Sequence, residues 1–187
     1  MEKRKVTIDL IKANWFAVAI LVVSAVVYLI PFIAVWGFNL PTDESGLEGL
    51  LNSLVVFLVI ILGMVVHELI HGITFACFAK RGFKSISFGI IMKYLTPYCH
   101  CDEPMSRGKY AVGALMPLAV LGFIPAVLSW FTGSWGMLAF AVIFTSGAAG
   151  DIWMTWLVSK EKPGVLIEDL PTEAGYYVYE NSKGAKV

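Results

Sequence analysis

Four long apolar runs limit what this chain can fold into. They cover residues 15–36, 50–79, 111–130 and 135–158, and each is long enough to cross a bilayer, which takes about 20 helical residues. Backbone groups in hydrocarbon have no water to bond, so each run reads as a helix. Of 187 residues 58% are hydrophobic and only 15% charged, and the mean hydropathy is +0.75, too apolar for an ordinary soluble domain. The expected fold is an all-α integral membrane bundle of four transmembrane helices with a small β-hairpin-like cytoplasmic loop. The first run follows Lys3, Arg4 and Lys5 but has no small-residue cleavage signature, so a retained helix is expected rather than a signal peptide.

Charge placement gives an orientation. The bases fall in three groups: Lys3, Arg4, Lys5 and Lys12; then Lys80, Arg81, Lys84, Lys93, Arg107 and Lys109; then Lys160, Lys162, Lys183 and Lys186. The loop between the first two helices holds Asp43, Glu44 and Glu48 and no base. By the positive-inside rule both termini and the 80–109 loop are expected on the cytoplasmic side of a multi-pass cell-membrane protein. The formal net charge is zero, which gives no electrostatic support for nucleic-acid binding. The lipid bilayer is the first partner.

Within the second run stands His67-Glu68-Leu69-Ile70-His71. Ionisable residues at membrane depth are costly and signal function. Positions i and i+4 share a helix face, so both imidazoles can reach one metal while Glu68 turns toward a water that the metal activates. A carboxylate there can take that water's proton as it attacks a carbonyl. This is the spacing of a zinc-metalloprotease core.

Asp151 is the other carboxylate within the four runs, and it needs a partner. It precedes Lys160 by nine residues, as His71 precedes Lys80, so at 1.5 Å per residue the carboxylate and imidazoles share a layer. A His-His-Asp set supplies the three protein ligands of a catalytic zinc site. The small residues Ser146-Gly147-Ala148-Ala149-Gly150 are expected to let the fourth helix approach the second. The alternative is that Asp151 caps a helix, lines a water cavity or pairs with a base.

His100 is the rival third ligand, flanked by Cys99 and Cys101. That run fits no standard zinc module, which leaves a substrate-pocket role, a role behind the ligands, or an ordinary loop histidine. Cys77 reads as a small packing residue. The stretch 83–91 and a second piece over 98–101 read as a hairpin or ribbon, to which an extended protein or peptide substrate can add as a strand; a solvated basic loop is the alternative. Pro117 and Pro125 are expected to kink the third helix, and Trp15, Trp36, Trp130 and Trp135 to anchor span ends. Residues 161–187 read as a short cytoplasmic tail.

The His67–His71 helix, the basic β-like loop and Gly150-Asp151 on a later helix look like the integral-membrane zincins. More closely, the chain resembles the zincin-peptidase family grouped as DUF3267, itself similar to site-2 proteases. The likeness runs from the second helix to the segment around Asp169–Gly175. It implies that residues 1–160 form one four-helix zincin-like domain, with one zinc held by His67, His71 and Asp151 and with Glu68 as catalytic base. It departs from the site-2 pattern at Ile152, which follows Asp151 where that family has Asn-Pro-Asp-Gly. The expected function is a membrane-embedded zinc metalloprotease acting on membrane or membrane-proximal substrates. The alternatives are a non-catalytic metal-binding membrane protein with a regulatory or sensing role, or a metal transporter; His and carboxylate ligands also suit other divalent ions.

Overall fold

A computed structural model describes residues 2–39, 47–91, 96–170 and 175–180. Asp43, Glu44, Lys93, Pro171, Lys183 and Lys186 lie outside them. Strand β1 (Glu2–Thr7) leads into helix α1 (Leu10–Trp36), followed by α2 (Leu47–Phe78), β2 (Ile86–Ile91), β3 (Thr96–Cys101), β4 (Met105–Ser106), α3 (Arg107–Pro117), α4 (Ile124–Thr132), α5 (Trp135–Gly147), α6 (Ala149–Ser159), β5 (Leu166–Asp169) and β6 (Gly175–Glu180).

Among the described residues, three helical stretches are long and apolar enough to cross a membrane: Ile11–Trp36, Glu48–Phe78 and Arg107–Thr132. The fourth expected helix is broken: α5 and α6 meet at a bend of 44° around Ala148 and qualify only as a pair. The third is continuous but irregular. Pro117 ends α3, a π-helical segment spans Leu118–Phe123, and Pro125 sits in the first turn of α4, because a proline removes one ladder donor and crowds the preceding turn. The outer faces of α1 and α2 expose Val22, Val26, Leu54, Val55 and Phe57, the pattern of helices that meet an apolar surrounding.

Indole donors tie the helix ends together. Trp36 donates to the Trp130 carbonyl at 2.9 Å, Trp130 to the Tyr28 carbonyl at 2.9 Å, and Trp135 to the Asn39 carbonyl at 2.7 Å. Gly133, at φ 68°, ends α4 in the left-handed region against the Trp36 ring, where a Cβ would be strained.

The all-α expectation is corrected by a four-stranded antiparallel sheet, ordered β1-β6-β5-β4. It was missed because its strands are short and scattered over both ends of the chain. β1 opens with the charged run Glu2-Lys3-Arg4-Lys5 before Val6 and Thr7, and pairs with β6 from Glu2↔Glu180 to Thr7↔Gly175; Lys3 lies 3.6 Å over the Tyr177 ring. Its inner face packs Ile167, Tyr176 and Val178 with Phe75, Tyr110 and Val158 into one core, so sheet and helix ends share apolar burial. The expected ribbon is present as the β2–β3 hairpin, paired from Ile86↔Cys101 to Ile91↔Thr96. It starts later than expected, because Gly82–Ser85 form a 3-10 turn.

Glu103 anchors that turn. Its carboxylate accepts from the Lys80 and Arg81 N–H groups at 2.8 and 3.0 Å, from the Arg81 side chain at 2.9 Å and from the Ser85 hydroxyl at 2.5 Å. These donors, Ser85 foremost, hold its carboxyl down to about 2.

Candidate metal centre

His67 and His71 lie one turn apart on α2, as i,i+4 geometry requires, and Asp151 lies in the first turn of α6, just past the bend. A helix start favours a carboxylate there, through its unpaired N–H groups and dipole. His67 Nε2 is 3.2 Å from Asp151 Oδ2 and 3.2 Å from His71 Nε2, and His71 Nε2 is 3.4 Å from Asp151 Oδ1. Donors at zinc bonds of about 2.0–2.1 Å in a tetrahedron stand about 3.3 Å apart; the two imidazoles approach different oxygens of Asp151, and one ligand atom from each of the three residues lies within 4.8 Å of the others. These three form the one group of potential ligands found among the described residues. Two imidazole nitrogens and a carboxylate turned on one point fit a divalent cation with one position left open.

A further contact fixes the His71 tautomer. His71 Nδ1 lies 2.9 Å from the Gly113 carbonyl, an acceptor only, so Nδ1 carries the hydrogen and donates it, leaving Nε2 bare for a metal. Phe75, one turn further along α2, stacks on the His71 ring at 5.9 Å and 12°. Glycine at 113 makes this possible, since a Cβ there would lie 2.2 Å from the Phe75 ring.

The approach of the helices differs from the expected one. A Cβ on Gly147 or Gly150 would meet nothing within 4 Å, so these small residues do not seat the fourth run on α2. α3 touches both α2 and α6, with Gly113 toward Phe75. Gly63 on α2 admits the Phe144 ring of α5. Cys77, expected to pack, is exposed.

Glu68 follows His67 and points to β3, where its carboxylate meets the Cys99 N–H. Gly72 seats the hairpin on α2, because a Cβ there would strike Phe88 and Ile86. His100 is not brought into the metal cluster; it stands on β3 opposite Ser87. Burial pushes the Cys99 thiol up to about 12, reinforced by Glu68 and Asp169, so it stays a neutral lining group.

Three groups around the centre escaped the sequence reading. The Gly113 carbonyl and the Cys99 N–H are backbone atoms and leave no trace in residue type. The third is Asp169 on β5, which accepts from the Tyr110 hydroxyl of α3 at 2.6 Å. Burial pushes its carboxyl up to about 6, against the pull of Tyr110, His100 and His71.

A family model described as "Putative zincin peptidase", DUF3267, matches residues 60–166, more than half of the chain and all of the cluster. The chain belongs to the DUF3267 family. The match begins seven residues before His67, within α2, and closes at the first residue of β5, so this DUF3267 member carries the second part of α2 and all of α3–α6 inside the matched region and Asp169 just outside it. No curated protein and no solved structure matches the chain.

Proposed function

We propose that this protein is a membrane-embedded zinc peptidase that hydrolyses peptide bonds of membrane or membrane-proximal substrates, in the manner of the site-2 proteases. The observation that carries the reading is the convergence of His67, His71 and Asp151 donor atoms within 4.8 Å of one another, with Glu68 one residue from His67. Zinc, when bound, supplies Lewis-acid polarisation of the scissile carbonyl and a more acidic water. Glu68, which is not among the three ligands, takes a proton from that water and hands it to the departing amine. The Cys99 N–H holds the Glu68 carboxylate toward the hairpin, and the Gly113 carbonyl keeps His71 in its ligating tautomer.

The long apolar helices support insertion in a cell membrane, and the basic flanks support cytoplasmic termini and a cytoplasmic 80–109 loop. Neither outer edge of the β2–β3 ribbon has a strand partner among the described residues. A substrate segment adding there as a strand would lie beside Glu68.

Glu68→Gln tests the catalytic step. Zinc content and melting temperature stay at wild-type values, while hydrolysis of unfolded or transmembrane model substrates falls by about 10²–10⁴. Equal hydrolysis by the two proteins would contradict the reading, and favour a metal-binding protein with a sensing role.

A further inference from the structure

Helix α3 supplies the contacts that orient His71, and β5 is what holds α3. The Gly113 carbonyl meets His71 Nδ1 at 2.9 Å. The Cβ that Gly113 lacks leaves room for Phe75, whose ring lies nearly parallel to the His71 ring. Both contacts depend on where α3 stands along its own axis, because a slide of one residue moves a carbonyl by about 1.5 Å, enough to break a hydrogen bond.

Two attachments set that position, and both come from β5. β4 pairs with β5 through Met105↔Ile167 and Ser106↔Leu166, and α3 begins at the next residue, Arg107. One turn into the helix, the Tyr110 hydroxyl donates to Asp169 Oδ1 at 2.6 Å, at the far end of the same strand. Tyr110 and Gly113, three residues apart, share a helix face, and the Tyr110 ring packs on Phe75 at 5.8 Å. Both rings are buried, in the core that also holds Met105 and Ile167, and a close-packed interior leaves such rings little room to shift. Packing alone would be met by phenylalanine at 110. A buried hydroxyl costs free energy unless it is bonded, and once bonded it fixes one arrangement of the core around it.

We propose that Tyr110 and Asp169 are positioning residues of the metal centre: their hydrogen bond locks α3 to β5 and so holds the Gly113 carbonyl and the Phe75 ring on the ligand His71. The proposal rests on the metal site of the peptidase reading. The C-terminal sheet then serves the site as well as covering the helix ends, although Asp169 lies beyond residue 166, where the family match closes.

The test is the zinc affinity of the detergent-solubilised full chain, read by competition with a chelator, with the visible absorption of the Co²⁺-loaded chain as a report on ligand geometry. Tyr110→Phe removes the hydroxyl and keeps the ring. It is expected to weaken zinc about tenfold or more, as loss of a group that orients a ligand does, and to alter the Co²⁺ bands. Asp169→Asn keeps an oxygen for the Tyr110 hydroxyl and is expected to stay close to wild type, which separates the hydrogen bond from the charge. Val178→Ala opens the same core at a fully buried residue of β6. It is expected to lower the melting temperature while zinc affinity and Co²⁺ bands stay unchanged, which separates positioning from general loosening. Wild-type affinity in Tyr110→Phe, or an equal loss in Asp169→Asn or Val178→Ala, would overturn the proposal and leave the zinc site standing. A wild type that takes up neither zinc nor Co²⁺ would overturn the metal reading, and this proposal with it.

Discussion

At the scale of single residues, the site depends on backbone atoms as much as on ligands. Gly113 serves twice, through its carbonyl on His71 Nδ1 and through the missing Cβ that admits the Phe75 ring. Gly113→Ala is expected to cost about 1–3 kcal/mol by overpacking and to weaken zinc roughly tenfold or more as the His71 contact shifts. Chemical denaturation and a competitive zinc titration check the two effects separately. The cluster of His67, His71 and Asp151 was legible in the sequence because helical spacing and distance along a helix are one-dimensional quantities: i,i+4 placed His67 with His71, and equal distance from basic flanks placed Asp151 beside them. Gly113, Cys99 and Asp169 were not legible as site residues. Two act through atoms common to every residue, and Asp169 comes to the site from a strand of the C-terminal sheet.

Among the elements, the hairpin depends on two features that can be varied apart from the metal. Gly72 lets β2 lie against α2, and a Cβ there would come 2.3 Å from Phe88. Gly72→Ala is therefore expected to displace the hairpin and lower peptide hydrolysis while zinc content stays at one per chain. Metal analysis alongside a substrate assay reads both. Glu103, whose folded-state carboxyl is held at about 2 against an ordinary 4.5, contributes stability that is present above pH 4.5 and lost as pH falls toward 2. Protection factors against hydrogen exchange at the Lys80 and Arg81 amides are expected to fall over that window, and in Glu103→Gln to be low at every pH. The hairpin was visible in the sequence through its β-formers and flanking Gly82 and Pro97. The break at Ala148 was not, because α5 and α6 read as one apolar run and nothing in Gly147-Ala148 distinguishes a bend from a close contact.

For the whole molecule, the sheet built mostly from both chain ends packs on the C-terminal ends of α2 and α6 and the first turn of α3, and this is where the all-α expectation failed. Short strands such as Leu166–Asp169 pair with partners across the chain, and only tertiary packing reveals them. Asp169 links that sheet to the site. Its carboxyl is raised to about 6 by burial, against the Tyr110 hydroxyl bonded to it and the pull of His100 and His71. The contribution of its protonated form is full below pH 4 and lost as pH rises through 6. Metal-free wild type should thus lose stability relative to Asp169→Asn between pH 4 and 7, as thermal melts in the presence of chelator will show; parallel curves over that range would contradict the placement.

The central claim is a three-ligand zinc site spanning α2 and α6. Its most direct test is the metal content, by mass spectrometry, of purified wild type and Asp151→Ala at matched folding. The account predicts about one zinc per chain in wild type and its loss in the variant. A well-folded wild type without metal, or a variant that keeps its zinc, would contradict it.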